Sequence, residues 1–210
     1  MPHTKLRYEE IQRQRLTEAQ AAESERRLPV IAILENIRSL YNVGSIFRTS
    51  DGAHLEAIYT VGYTPHPGDP SDRARKEIEK TALGATRTVP HRHFETIEEA
   101  IAFAKSAESL VLSPKYEEQN THHSGLRTKH LGLRKVAALE ITSNSRSVFE
   151  LSTEDFPLAL IIGNEITGVS DEAIALSDFT LEIPMLGTKH SLNVAVAFGI
   201  AAFECVRVLK

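Results

Sequence analysis

Apolar residues along the chain fall into two rhythms. Near-continuous runs at Val30–Leu34 (VIAIL), Ala57–Val61 (AIYTV), Val136–Ile141, Phe156–Ile162 (FPLALII) and Thr180–Ile183 predict strands. Continuous rather than alternating runs suit a sheet covered on both faces. Helical spacing appears at Thr96–Ala107, with Ile97, Ala100, Ile101 and Ala104 on one side. It returns at Ser191–Leu209, whose stripe is Leu192, Val196, Ile200, Phe203 and Val206. Asn42–Gly52 predicts a helix that begins in a polar turn, with the Asn42 side chain as its cap and Arg48 well inside. Tyr63–Asp72 holds three prolines and a glycine and reads as an exposed loop. Strands alternating with helices predict an α/β fold with a mostly parallel sheet and helices on both faces. Residues 4–27 are polar with sparse apolar points and read as a surface helix on the body or a partner. The expected division is therefore an N-terminal helical extension, 1–27, and one domain, 28–210. Residues 109–134 are polar and read as a long insertion.

Composition narrows the classes. The 210 residues are 41% hydrophobic and 25% charged, which excludes disordered and fibrous chains. No apolar run reaches membrane length, and the N-terminus lacks the apolar core of a secretory signal, so no membrane partner is expected. One cysteine, Cys205, excludes an internal disulfide framework and fits a reducing, cytoplasmic compartment. A net charge of −4 argues against holding nucleic acid by bulk charge. Two stretches are locally basic. Residues 73–92 carry Arg73, Arg75, Lys76, Lys80, Arg87 and Arg92 against Glu77 and Glu79, and 115–135 are similar. Such stretches can meet phosphates, although solvated loops are their commoner use.

In open parallel sheets, ligands bind beyond the carboxyl ends of the strands. Three such ends are rich in glycine and polar residues: Leu34–His54, Ile161–Ala173 and Ile183–Glu204. Gly163 and Gly168 permit a tight turn and a close ligand, with Asn164 and Glu165 placed at that turn. Gly187 lies in a loop whose backbone groups can bond a flat heterocycle. Ser191 reads as the cap of the last helix, with Asn193 just inside. Taken singly, each feature is commoner as ordinary structure. Neither G-x-G-x-x-G nor G-x-x-x-x-G-K-[ST] occurs, which argues against a usual dinucleotide fold or a P-loop. No Cys/His spacing suggests structural zinc, no G-x-S-x-G elbow supports a serine triad, and no metal is expected.

Together the three blocks resemble the SpoU/TrmH branch of the knotted (SPOUT) RNA methyltransferases. The first motif is N-x-G-S-I-F-R-T-S-D-G-A at Asn42–Ala53. The second is L-I-I-G-N-E-I-T-G-V-S at Leu160–Ser170. The third is I-P-M-L-G-T-K-H-S-L-N-V at Ile183–Val194. The resemblance covers about residues 28–210. It implies a C-terminal deep trefoil knot, which periodicity alone never predicts. It also implies a homodimer with S-adenosylmethionine bound near the subunit interface by Gly163, Asn164, Glu165, Gly168, Ile183, Met185, Gly187, Ser191 and Leu192. The implied reaction is methyl transfer to a ribose 2′-hydroxyl of tRNA or rRNA, with Asn42, Arg48, Glu165, Ser191 and Asn193 as catalytic residues.

An arginine stays protonated at any working pH, so Arg48 is expected to stabilise charge on the attacking oxygen rather than take its proton. Two rival readings stand: a knotted RNA- or cofactor-binding protein without catalysis, and an RNA base methyltransferase. Tyr41, Phe47 and Tyr63 are candidates for base stacking, with core packing their expected use. Two departures from the family pattern stand out, Ala195 where serine is frequent and His54 where glycine is frequent.

Overall fold

The computed structural model describes residues 5–13, 15, 17, 20, 27–106 and 134–210. In chain order the elements are α1 (Tyr8–Arg13), β1 (Leu28–Glu35), α2 (Leu40–Ala53), β2 (Leu55–Val61), α3 (Asp72–Ala82), α4 (Ala85–Thr88), β3 (His91–Phe94), α5 (Ile97–Lys105), β4 (Lys135–Leu139), β5 (Arg146–Ser147), β6 (Leu158–Ile162), α6 (Asp171–Ala175), β7 (Phe179–Glu182) and α7 (Val194–Leu209). The seven strands form one sheet, in the order β3-β2-β1-β6-β4-β7-β5. Every pairing is parallel.

The sheet is buried on both sides because its central strands are apolar at nearly every position, β6 (LALII) at all of them. Val30, Ala32 and Leu34 face one core, built with Val43, Ile46 and Phe47 of α2, Ile78 of α3 and Phe198 of α7. Ile31 and Ile33 face the other, with Ile97, Ala100 and Ile101 of α5 and Ala173 of α6. The α/β expectation is thus realised, and each predicted strand is present with ends moved by one or two residues. Strand β3 was not anticipated. The basic stretch 73–92 is not loop but α3, α4 and β3. Of the N-terminal extension, helix Tyr8–Arg13 is described. The insertion lies outside the described residues except Arg134, which pairs with Glu56 at 2.7 Å.

Two helix starts differ from expectation. Ser39, not Asn42, caps α2, its hydroxyl accepting the Asn42 N–H. Asn193, not Ser191, caps α7, its carboxamide oxygen accepting the Ala195 and Val196 N–H groups. Both shifts release a side chain predicted to cap, and both released side chains reappear at the candidate site.

Helix α7 departs from its predicted stripe. Its buried residues are Val194, Phe198, Ala201, Ala202, Glu204 and Cys205. Val196 and Phe203, read from sequence as part of the stripe, are 51% and 52% exposed. Apolar residues occur on more than one side of the helix, so periodicity alone could not choose its inner face. Among the described residues, no helix is long and apolar enough to cross a membrane.

Candidate active site

Strands β2 and β3 run to one side of β1, and β6, β4, β7 and β5 to the other. A parallel sheet that reverses its winding opens a crevice beyond the strand ends at the reversal. Here that point is the β1–β6 boundary. Three ties stitch the loops across it. The Glu35 carboxylate accepts the Ser170 N–H at 3.0 Å and the Ser170 hydroxyl at 2.5 Å. The Asn164 Nδ2 donates to the Asn36 carbonyl at 2.8 Å. Glu165 accepts the Arg38 N–H at 2.9 Å and the Ser39 N–H at 3.0 Å.

The loop after β6 folds on itself. Asn164 and Gly168 exchange two backbone hydrogen bonds, and Asn164 Oδ1 accepts the N–H groups of Ile166 and Thr167. Asn164 Nδ2 also donates to the Tyr63 hydroxyl at 2.8 Å, so this side chain is fully used in building the loop. Gly163 and Gly168 are fixed by space. A Cβ on Gly163 would overlap the Gly168 carbonyl and Val169 N, and one on Gly168 would overlap the Glu140 carboxylate. Gly168 also has φ +73°, a conformation that favours glycine.

The loops after β4, β6 and β7 enclose a cleft of about 290 Å³. Its apolar wall includes Leu139, Ile141, Ile162, Leu181, Ile183 and Leu192. Gly163, Asn164, Glu165, Gly168, Met185 and Ser191 also line it, so eight of the nine residues expected to hold a cofactor are there. Gly187 is not, and it stands in open space. Residues 184–192 make no backbone hydrogen bond among the described residues. Free N–H and C=O groups beside an apolar wall suit a flat heterocycle with a polar edge.

Three of the expected catalytic residues meet beside this cleft. Asn42 Nδ2 donates to Glu165 Oε1 at 2.9 Å. Asn193 Nδ2 donates to Asn42 Oδ1 at 3.2 Å. A carboxylate only accepts, so Asn42 must turn its amide nitrogen to Glu165 and its oxygen to Asn193. Asn193 then keeps its own oxygen for the start of α7. One chain of hydrogen bonds thus joins the three sequence blocks and fixes both amides. Ser191 is exposed at the cleft wall, with its hydroxyl unbonded among the described residues.

The Glu165 carboxyl is held below its ordinary value. Partial burial pushes it up, and the hydrogen bonds from Arg38, Asn42 and Ser39 overcome that push. It also sits at the positive end of α2. An acid stabilised as its anion is a poor proton acceptor, which suits Glu165 to positioning rather than to proton transfer.

Arg48 does not join the group. It is exposed, six residues and about 9 Å of helix rise beyond Asn42 on a different face of α2, and it does not line the cleft. Sequence reasoning also missed Glu140. Its carboxylate accepts the Val169 N–H at 2.9 Å and lines the cleft. Its one sequence signal was an acid at the end of an apolar strand.

The family model described as the SpoU rRNA Methylase family matches residues 29–203. The chain belongs to this family. Among its relatives, the tRNA (guanosine(18)-2′-O)-methyltransferase of Thermus thermophilus is 30% identical over 87% of this chain and 77% of its own length. The Escherichia coli K12 enzyme of the same name is 27% identical, over 87% of this chain and 65% of its own. A 23S rRNA (guanosine-2′-O-)-methyltransferase of Pectobacterium atrosepticum is 25% identical, over 86% and 60%. The chain thus spans less than two thirds of the length of these last two family members. The SpoU methyltransferase AviRb from Streptomyces viridochromogenes, solved with AdoMet, superimposes with a TM-score of 0.66 at 22% identity, covering 88% of this chain and 62% of that one. The A. aeolicus TrmH/SpoU tRNA modifying enzyme gives 0.65 at 22%, covering 94% and 83%. These likenesses establish the α/β fold with its parallel sheet.

Proposed function

We propose that this chain transfers a methyl group from S-adenosylmethionine to a ribose 2′-hydroxyl of tRNA or rRNA. The observation that carries the reading is the hydrogen-bonded run Glu165–Asn42–Asn193 beside a cleft lined by Ser191. Names of relatives support the reaction class, since three of them are RNA guanosine 2′-O-methyltransferases.

S-adenosylmethionine would supply the electrophilic methyl group: the O–CH3 bond would form as the S–CH3 bond breaks, S-adenosylhomocysteine would leave, and the 2′-hydroxyl proton would pass to water. Ile183, Met185 and Leu192, with the backbone of the Gly163–Gly168 loop, would hold it. Glu165 fixes Asn42, and Asn42 fixes Asn193. The two carboxamides and the Ser191 hydroxyl then orient the attacking ribose oxygen. Arg48 stabilises the negative charge that develops there. Alignment of this kind contributes roughly 7–11 kcal/mol to lowering a barrier.

We further propose a homodimer. Arg48 is remote from its own cleft, and α7 carries exposed Val196 and Phe203. A second copy packed on this face would bury both and bring its Arg48 toward the first copy's site. In this reading residues 28–210 are one methyltransferase domain with a trefoil knot at the third block, 1–27 are a helical extension, and the setting is cytoplasmic.

The test is incubation of purified protein with tritiated S-adenosylmethionine and unmodified tRNA or rRNA, then digestion to nucleosides. Label in a 2′-O-methylnucleoside is expected and names the RNA class. Label in a base assigns a base methyltransferase instead. Cofactor binding without label in any RNA assigns a binding protein.

A further inference from the structure

On sequence grounds Tyr41, Phe47 and Tyr63 share one expected use, packing in the core. Only Phe47 is buried; Tyr41 is 51% exposed. Tyr41 adjoins Asn42 in sequence but points the other way, onto α3. Three contacts place it there. The Thr81 hydroxyl donates to the Tyr41 carbonyl at 3.3 Å. Lys80 Nζ lies 5.8 Å from the ring centroid. Gly44, one turn on, lets α3 approach so closely that a Cβ there would overlap Thr81 Oγ1 and the Ile78 carbonyl. The backbone of Tyr41 is thus held against α3, and its ring stands half exposed beside Lys80.

Two rows of side chains share this surface. Arg38, Tyr41, Ser45 and Arg48 are spaced three and four apart, so they lie along one face of α2 and its lead-in. Arg73, Lys76 and Lys80 are likewise one face of α3, opposite its buried face of Ala74, Ile78 and Ala82. All five cations are exposed. Lys80 Nζ, itself exposed, is 3.6 Å from the half-buried Glu77 carboxylate. Arg73 and Lys76 have no ion pair among the described residues. On a chain of net charge −4, this is a cationic face with an aromatic ring in it. It begins at Arg38, whose N–H binds Glu165 of the candidate site.

We propose that this face of α2 and α3 is where the RNA strand entering the site docks, with Tyr41 stacking an unpaired base and Arg73, Lys76 and Lys80 holding backbone phosphates. The inference rests on the RNA substrate proposed above and names the surface that grips it. Charge complementarity supplies affinity without sequence preference, and the ring supplies a platform for any base.

The test measures binding of a labelled, mixed-sequence single-stranded RNA by fluorescence anisotropy across a salt series. Each variant is checked by thermal melting and by its affinity for S-adenosylmethionine, neither of which should change. For the triple variant Arg73→Ala, Lys76→Ala, Lys80→Ala, the slope of log K against log salt should fall by about 2, since each lost phosphate contact removes about 0.7. Tyr41→Leu should weaken binding roughly tenfold while Tyr41→Phe keeps it, because stacking needs the ring and not the hydroxyl. Wild-type protein that binds the cofactor but shows no salt-dependent RNA binding would overturn the substrate reading and this proposal together. Salt-dependent wild-type binding that the triple variant retains unchanged would overturn the docking face alone.

Discussion

Glu165 is the joint on which the candidate site turns, and Glu165→Gln isolates what its charge contributes. In the wild type, Oε1 accepts from Ser39 N and Asn42 Nδ2, and Oε2 from Arg38 N. A glutamine of the same shape does best by keeping its oxygen at the two-donor position. Its amide nitrogen then faces the Arg38 N–H, donor against donor. One charge-assisted bond is lost and two become neutral. Hydrogen bonds to charged groups contribute about 1.5–3 kcal/mol each, but this side chain is exposed, so screening reduces the sum to about 2 kcal/mol. For a chain of this size that is a fall in Tm of about 4–8 °C. The pH dependence gives a second reading of the same bond. The folded carboxyl lies below its ordinary value, so its contribution is complete above the unfolded value near 4.3 and is lost as pH falls through the depressed folded value. The Tm gap between wild type and Glu165→Gln should be flat from pH 6 to 8 and close in acid, where the wild type also becomes neutral. Differential scanning fluorimetry across that range is the assay. A gap below about 1 °C, or one that persists unchanged in acid, would refute the claim that ionised Glu165 holds α2 to the loop after β6. Glu165→Ala, which also frees Asn42, should cost about 100-fold in kcat, the scale of a misplaced catalytic group.

Three further outcomes follow from the geometry. Gly44→Ala should destabilise the fold by about 3 kcal/mol, because α3 must move away from α2, while Gly187→Ala should leave Tm unchanged, because its Cβ meets nothing within 4 Å. Thermal melts of the two variants decide this. Leu83 ends α3 with φ 51° and its side chain 66% exposed, so Leu83→Gly should raise Tm by about 2–4 °C through relief of a left-handed cap. Arg48→Ala and Ser191→Ala should each abolish methylation while cofactor affinity in Arg48→Ala stays normal. Mixed dimers of the two should regain activity if Arg48 serves the partner's site, and activity assays on a co-expressed pair that stay silent would return Arg48 to its own cleft.

The fold was legible where one physical requirement dominated. Val30–Leu34 of β1 and all of β6 are apolar because both faces of the sheet are covered, and runs this short and rich in Val and Ile suit strands rather than helices. The loops were legible as a set, since glycine with Asn164 and Glu165 beyond an apolar strand is a place for ligands. What stayed hidden was decided by partners distant in sequence. Asn42 reads as a cap by its position alone, and only the motif resemblance marks it for the candidate site; the contact that puts it there is with Glu165, 123 positions away, which accepts from it. Glu140 looked like the end of a strand until Gly168 lay against it. The residues 73–92 read as loop because their charges obscured the buried row Ala74, Ile78 and Ala82.

The sequence stripe through Val196 and Phe203 is an apolar side of α7 that its own sheet leaves uncovered. An isolated chain buries one side of α7 against its own sheet, through Phe198, Ala201 and Ala202. A helix with a second apolar side, carrying Val196 and Phe203 in water, bears hydrophobic surface that the monomer does not use. The same face of the molecule carries α2, because a Cβ on Gly52 would lie 3.9 Å from the Phe203 ring. Arg48 is one turn from Gly52 on that helix. The unused apolar surface and the arginine missing from its own cleft therefore lie together. One event, the packing of a second copy there, would account for both.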